Sequence, residues 1–174
     1  GTATRTAEFV AAVSGTRARI LDTRKTLPGL RIAQKYAVRC GGGDNHRIGL
    51  YDAVMLKENH IMAAGSIAAA AQRARELHPA LPLIIEVEDL DELRQALATG
   101  CTRILIDDFS PEDMREAVRI ADGRIPLEVS GSVSLERVRA IAETGVDCIS
   151  IGGLTKHVRA VDYSMRLEAK KGSE

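Results

Sequence analysis

The chain has 174 residues, 45% of them hydrophobic but only 3% aromatic and none Trp, so it fits one domain with an aliphatic core. Its 24 Lys and Arg balance its 24 Asp and Glu, which argues against a nucleic-acid binder, since that class needs a basic excess or stripe. No apolar run approaches the roughly 20 residues of a membrane span, and no signal-peptide pattern opens the chain.

The chain begins at Gly1 and not Met, as expected of a processed chain or a piece of a longer one. The first strand is predicted within ARILDTR (18–24). Next comes RCGGGDNHRIG (39–49), three glycines followed at once by Asp44, Asn45, His46 and Arg47. Two readings of it stand side by side. The glycines cap a helix and lead into a solvated loop, or they let the backbone reach a pocket where His46 and Arg47 meet a ligand. AVMLKEN (53–59) is the second strand run, and SIAAAAQRARELH (66–78) reads as a helix. Strand runs LIIEVED (83–89), RILIDD (103–108), PLEVSG (126–131) and CISIGG (148–153) then alternate with helical segments 89–100, 110–123 and 134–145. Ser110-Pro111 is an N-cap followed by proline at the first helical position. Gly100, Gly123 and Gly145 sit where helices should stop. In the last of these helices Leu135, Val138, Ile141 and Ala142 share a face. Cys40, Cys101 and Cys148 are odd in number, lack metal-binding spacing, and read as reduced thiols in a reducing, cytoplasmic compartment.

Strand then helix at intervals of about 20 to 30 residues indicates βα units and a parallel sheet. A doubly wound sheet and a barrel both fit. Helices of similar length and the lack of a GxGxxG first turn favour the barrel. A full eight-unit barrel needs about 250 residues, so six runs in 174 residues predict a single α/β domain over 1–174, an incomplete, open TIM-like β/α barrel of six parallel strands.

The charges cluster at strand ends. Asp22, Arg24 and Lys25 close the first run, Lys57 and Glu58 the second; Glu86 and Glu88 sit late in the third. Asp107 and Asp108 end the fourth run, Glu128 with Ser130-Gly131 the fifth, and Gly152-Gly153 the sixth. Parallel βα proteins bind ligands at the carboxyl ends of their strands, so these positions predict one polar mouth. A charge at a strand end often only faces water. Glu86 and Glu128 are different, because each lies between apolar residues of a buried run and needs a partner. The cations Arg24, Lys25, Arg47 and Lys57 suit a polyanionic ligand, and the carboxylates suit sugar hydroxyls or a Mg²⁺ bridging phosphates. SGSVS (130–134) and IGGLTKH (151–157) read as phosphate cradles on adjacent late units, or simply as tight βα turns.

DTRKTLPGLR (22–31), GGGDNHRIGLYDAVMLKENHI (41–61), EVE (86–88), DD (107–108), EVSGSV (128–133) and ISIGGLTKHV (149–158) together resemble the quinolinate phosphoribosyltransferase family over nearly the whole chain. The resemblance implies conversion of quinolinate and phosphoribosyl pyrophosphate, with Mg²⁺ as cofactor, into nicotinate mononucleotide, pyrophosphate and CO₂. By position it implies Arg24, His46, Arg47 and Lys57 as the quinolinate group, and Lys25, Glu86 and Asp107 as catalytic residues on the phosphoribosyl side. Glu86 and Asp107 would also meet Mg²⁺, directly or through water. Ser130, Gly131, Ser132, Ile151, Gly152, Gly153 and His157 would complete the phosphoribosyl pyrophosphate site. It also implies a homodimer or higher homo-oligomer, and an N-terminal α/β domain of roughly 100 residues that this chain lacks; in the family that domain supplies an arginine to a neighbouring subunit. GTATRTAEFV would then begin inside the helix that follows the domain. Asp108 stands where the family commonly has Asn, and Ser132 where it has Gly or Asn. Two other readings stay open: a related phosphoribosyltransferase with another acceptor, such as the paralogue associated with molybdate transport, and a non-catalytic phosphate-binding fragment.

Overall fold

Each of the six aliphatic runs contains a strand in the computed structural model, which describes residues 1–168. They are β1 (Arg19–Leu21), β2 (Val54–Leu56), β3 (Leu83–Val87), β4 (Arg103–Asp107), β5 (Leu127–Ser130) and β6 (Cys148–Ser150). All pair in parallel in one sheet of order β1-β6-β5-β4-β3-β2. A doubly wound sheet would reverse direction at a central strand. Here neighbours in the sheet run cyclically, and the ring is broken only between β1 and β2, as in a barrel opened along one seam. The expected open barrel is what the chain forms.

The helices are α1 (Thr2–Ala12), α2 (Arg31–Cys40), α3 (Glu58–Ala64), α4 (Ile67–Leu77), α5 (Leu90–Leu97), α6 (Pro111–Ala121), α7 (Leu135–Ala142) and the single turn α8 (Gly153–Lys156). Local chemistry sets their starts. Ser66 Oγ accepts from Ala69 N, Asp89 from Asp91 and Glu92 N, and Ser110 Oγ from Asp113 N. Ser134 caps α7 by position without a side-chain bond. The stop glycines lie beyond the last helical turn, and at α6 it is Asp122, φ 48°, that first turns left-handed. α3 and α8 had no prediction; α1 was expected only through the resemblance, and α2 only through the reading of its glycines as a cap. In α2 the buried face carries Gln34 and Lys35 beside Val38, so its apolar stripe is interrupted.

Strand alternation divides the core. Leu83, Ile85, Val87, Ile104, Ile106, Leu127, Val129, Ile149 and Ile151 face the helices in the main cluster. The residues between them point into the barrel. Ala53, Ile84 and Leu105, with Met55, make a small apolar floor, and Glu86, Arg103, Asp107, Glu128, Cys148 and Ser150 share that side. A barrel interior is ordinarily filled by layers of branched apolar residues. This one is largely polar, and that is what makes room for a site.

Candidate active site

The carboxyl ends of the strands open on a cavity of about 730 Å³. Every residue proposed for the site on sequence grounds lines it: Arg24, Lys25, His46, Arg47, Lys57, Glu86, Asp107, Ser130, Gly131, Ser132, Ile151, Gly152, Gly153 and His157. Asp22, Glu58, Glu88 and Asp108, counted with the polar mouth on the same grounds, do not line it. Asp22 is wholly buried behind it, and the other three are exposed. The cavity also takes Thr23, Met55, Leu105, Val133, Ser150 and Lys156. Lys156 was legible as a charge in the IGGLTKH turn; the apolar floor was not, since Met55 and Leu105 look like any core residue of a strand.

One wall is cationic. Arg24 and Lys25 project from the β1–α2 loop and Arg47 from the loop after α2. Arg47 Nη1 donates to Ala53 O at 2.9 Å. Burial pulls the Arg47 guanidinium below its ordinary pKa, the Arg24 charge pulls it further, and Asp52 opposes both. Two guanidiniums held so that they repel form a site prepared for an anion. Arg24 Nε is buried and has no hydrogen-bond partner in the protein.

His46 lies deeper and is 7% exposed. Its Nδ1 accepts from Arg47 N at 2.7 Å, so the neutral ring carries its proton on Nε2. Nε2 lies 3.2 Å from Glu128 Oε2, yet the N–H direction misses that oxygen and Nε2 has no hydrogen-bond partner. Glu128 is fully buried. Arg103 Nη1 donates to its Oε2 at 2.8 Å, while Oε1 is unpartnered. Burial pushes this carboxyl up, but the close approach of the His46 ring, the bond from Arg103 and the nearby Ser150 hydroxyl outweigh it and hold it below the usual glutamate range. The cationic partner that a buried Glu128 demands is therefore Arg103, a residue that sequence reasoning passed over.

The opposite wall holds the other acids. Lys57 Nζ donates to both oxygens of Glu86, at 2.6 and 2.9 Å. Lys57 is thus the partner that Glu86 requires. Ser130 Oγ donates to Asp107 Oδ1, a bond allowed by the register that sets Asp107 opposite Ser130. Beside them the glycines allow close approach. A Cβ on Gly152 would stand 3.0 Å from Lys25 Cδ, and Gly131 has φ 95° with Asp108 Oδ1 3.2 Å from where its Cβ would be. Lys25 therefore lies over the β6–α8 turn. Among the described residues no group of three or more His, Cys, Asp or Glu is arranged to hold a metal ion.

The glycine run Gly41-Gly42-Gly43 ends α2 and leads the chain to the cavity. Gly41 caps α2 and Gly42 turns left-handed at φ 84°. Gly41 and Gly43 also press against α1, where Cβ atoms would stand 2.6 Å from Thr6 Cβ and 2.8 Å from Thr6 Cγ2. Asp44 then bridges Leu21 in parallel along the free edge of β1, and this carries His46 and Arg47 to the mouth.

The family model for quinolinate phosphoribosyl transferase, C-terminal domain, matches residues 2–166. The chain belongs to this family. A nicotinate-nucleotide pyrophosphorylase [carboxylating] from Mycobacterium leprae (strain TN) is 48% identical over 170 residues, covering 96% of this chain and 60% of that protein. A probable nicotinate-nucleotide pyrophosphorylase [carboxylating] from Bacillus subtilis (strain 168) is 45% identical over 166 residues, 95% of this chain and 57% of that protein. The solved nicotinate-nucleotide pyrophosphorylase of Francisella tularensis superposes with a TM-score of 0.91 at 53% identity, covering 93% of this chain and 58% of that one. The chain thus spans roughly three fifths of the length of these quinolinate phosphoribosyltransferase relatives.

Proposed function

We propose that this chain is the barrel region of a quinolinate phosphoribosyltransferase of NAD biosynthesis. Its substrates would be quinolinate and phosphoribosyl pyrophosphate, and its products nicotinate mononucleotide, pyrophosphate and CO₂. The observation that carries the reading is the pair of unpartnered buried nitrogens, Arg24 Nε and His46 Nε2, on one cavity where the Arg24 and Arg47 guanidiniums repel each other. Two adjacent carboxylates on a flat ring match that wall: Arg24 and Arg47 pair them, His46 Nε2 donates, and Lys57 adds charge at the rim. Met55 and Leu105 offer the ring an apolar floor.

In the reaction, the pyridine nitrogen attacks the anomeric carbon as pyrophosphate leaves. Positive charge grows on the ribose, and Asp107 and Glu86 face it. Lys25 and Lys156 take the phosphate charge, and the turns at Ser130, Gly131, Ser132 and at Ile151, Gly152, Gly153, with His157, cradle the 5′-phosphate. Glu86 and Asp107 would hold Mg²⁺ together with substrate oxygens, an arrangement suited to an ion that keeps most of its ligands from phosphate and water. When bound, Mg²⁺ neutralises the leaving pyrophosphate. Ring quaternisation comes first. The bond to the 2-carboxylate then breaks, CO₂ departs, its electron pair stays on the ring carbon beside the cationic nitrogen, and a proton replaces it.

A homo-oligomer is part of this proposal, supported by the exposed apolar residues Leu30, Ile32, Tyr36, Leu50 and Tyr51 on α2 and the following loop. The three free thiols support a reducing compartment such as the cytoplasm. No helix among the described residues is long and apolar enough to cross a membrane.

Calorimetry tests the substrate. Quinolinate is expected to bind the chain, and nicotinate, with one carboxylate, to bind at least about tenfold more weakly, one charge-assisted hydrogen bond being worth about 1.5–3 kcal/mol. Arg47→Ala is expected to remove most quinolinate binding, and most formation of nicotinate mononucleotide in the full-length protein. Undiminished binding by Arg47→Ala would refute the clamp.

A further inference from the structure

We propose that Asp22 and Lys35, a buried ion pair outside the cavity, are positioning residues that hold the His46–Arg47 segment against the ligand. The proposal rests on the dicarboxylate reading above. Asp22 follows β1 and is 0% exposed; Lys35 lies on α2 and is 3% exposed. Neither lines the cavity, so neither can touch a ligand in it.

Their bonds converge on one short segment. Lys35 Nζ donates to Asp22 Oδ1 and, at 2.9 Å, to His46 O. His46 N donates to Asp22 Oδ1 at 2.8 Å. Asn45 Nδ2 donates to Asp22 Oδ2 at 2.6 Å and to Lys35 O at 2.9 Å. Both backbone polar groups of His46 are therefore tied to the pair, and the side chain of the preceding residue is tied to it twice. The two anchors belong to different elements, β1 and α2, and the segment they grip connects the second of them to the mouth. With His46 N and O fixed, the imidazole is left to present Nε2 to the cavity, and Arg47 N is set to donate to Nδ1.

A buried ion pair is a poor way to stabilise a fold. Desolvation of both charges cancels much of their attraction, and apolar replacements of similar size are often neutral or better. What such a pair does supply is direction, because a carboxylate and an ammonium accept and donate along several fixed lines at once. Three glycines and a single bridge, Leu21 to Asp44, precede His46, and the bonds that fix His46 itself come from the Asp22–Lys35 pair.

The experiment replaces the pair by apolar groups in Asp22→Leu/Lys35→Met and, separately, loosens it in Asn45→Ala. Thermal unfolding, calorimetry with quinolinate and with phosphoribosyl pyrophosphate, and amide hydrogen exchange at His46 are measured for each. The double variant is expected to unfold cooperatively and to lose quinolinate affinity by about tenfold or more. Phosphoribosyl pyrophosphate, whose assigned contacts include neither His46 nor Arg47, is expected to bind within about twofold of the parent. Asn45→Ala should lose quinolinate affinity in the same direction by less, and it decides the matter if the double variant does not fold. In both variants the His46 amide is expected to exchange faster. Unchanged quinolinate affinity, or equal loss of both ligands, in the folded variant overturns the positioning role. Should the parent chain fail to bind quinolinate, the proposed substrate falls; His46 exchange still tests the tether, and an unaltered rate in both variants overturns it.

Discussion

Glu128→Gln removes a charge from the floor of the cavity and leaves its shape. Glu128 is fully buried and accepts one charge-assisted hydrogen bond, from Arg103 Nη1 at 2.8 Å. A hydrogen bond to a charged group contributes about 1.5–3 kcal/mol, and orphaning one member of a fully buried pair costs about 3–5 kcal/mol. The Arg103 side chain is 26% exposed, so water recovers part of its solvation and the lower range applies. The variant is therefore expected to lose about 1.5–3 kcal/mol at pH 7 and still fold, since domains have about 5–15 kcal/mol in hand. The pH dependence gives a second reading. The folded carboxyl is held below its unfolded value. The stability it contributes is present in full above the unfolded value of about 4.3 and is lost as pH falls through the folded value. Urea unfolding at pH 7 and at descending acid pH should show the parent losing stability faster than Glu128→Gln, so that the gap narrows in acid. Equal stability at pH 7, or a gap constant through acid, would refute the assigned pairing.

Gly41→Ala would set a Cβ 2.6 Å from Thr6 Cβ and against the Ala3 carbonyl. Overpacking of this kind costs about 1–3 kcal/mol, read as a lower midpoint in urea, with weaker quinolinate binding if α1 pushes the loop outward. In thiol titration of the native chain Cys40, which is exposed, should react first. Cys101 and Cys148 are buried, and burial pushes both thiols up, so they should react only after denaturant is added.

The sheet was readable because parallel strands buried on both faces must be aliphatic runs, and the intervening helices carry their own start signals at Asp89 and Ser110. The ligand-facing groups were readable because fold geometry sends strand ends to one mouth. Arg24, Lys57, Glu86 and Asp107 are chemically conspicuous there. Helix α2 was marked only by the glycines at its end, because its inward face carries Gln34 and Lys35, residues whose partners are distant in the chain. Asp22 was placed at the mouth for the same reason. A carboxylate after a strand reads as exposed unless one knows that Lys35, Asn45 and His46 come to meet it.

The linear chain alone thus determined the βα rhythm, the aliphatic core, the family and the identities of the charged groups at the strand ends. The rhythm, the core and the strand-end charges follow from local periodicity and residue type, and the family from the resemblance of its motifs. Only the tertiary structure decided which charge faces which. It pairs Glu86 with Lys57 and Glu128 with Arg103, sets Arg24 against Arg47, and sinks Asp22 behind His46. Coulombic attraction, repulsion and desolvation depend on distance and on exclusion of water, and neither exists until β1 and β6 lie side by side and the loops close over their ends.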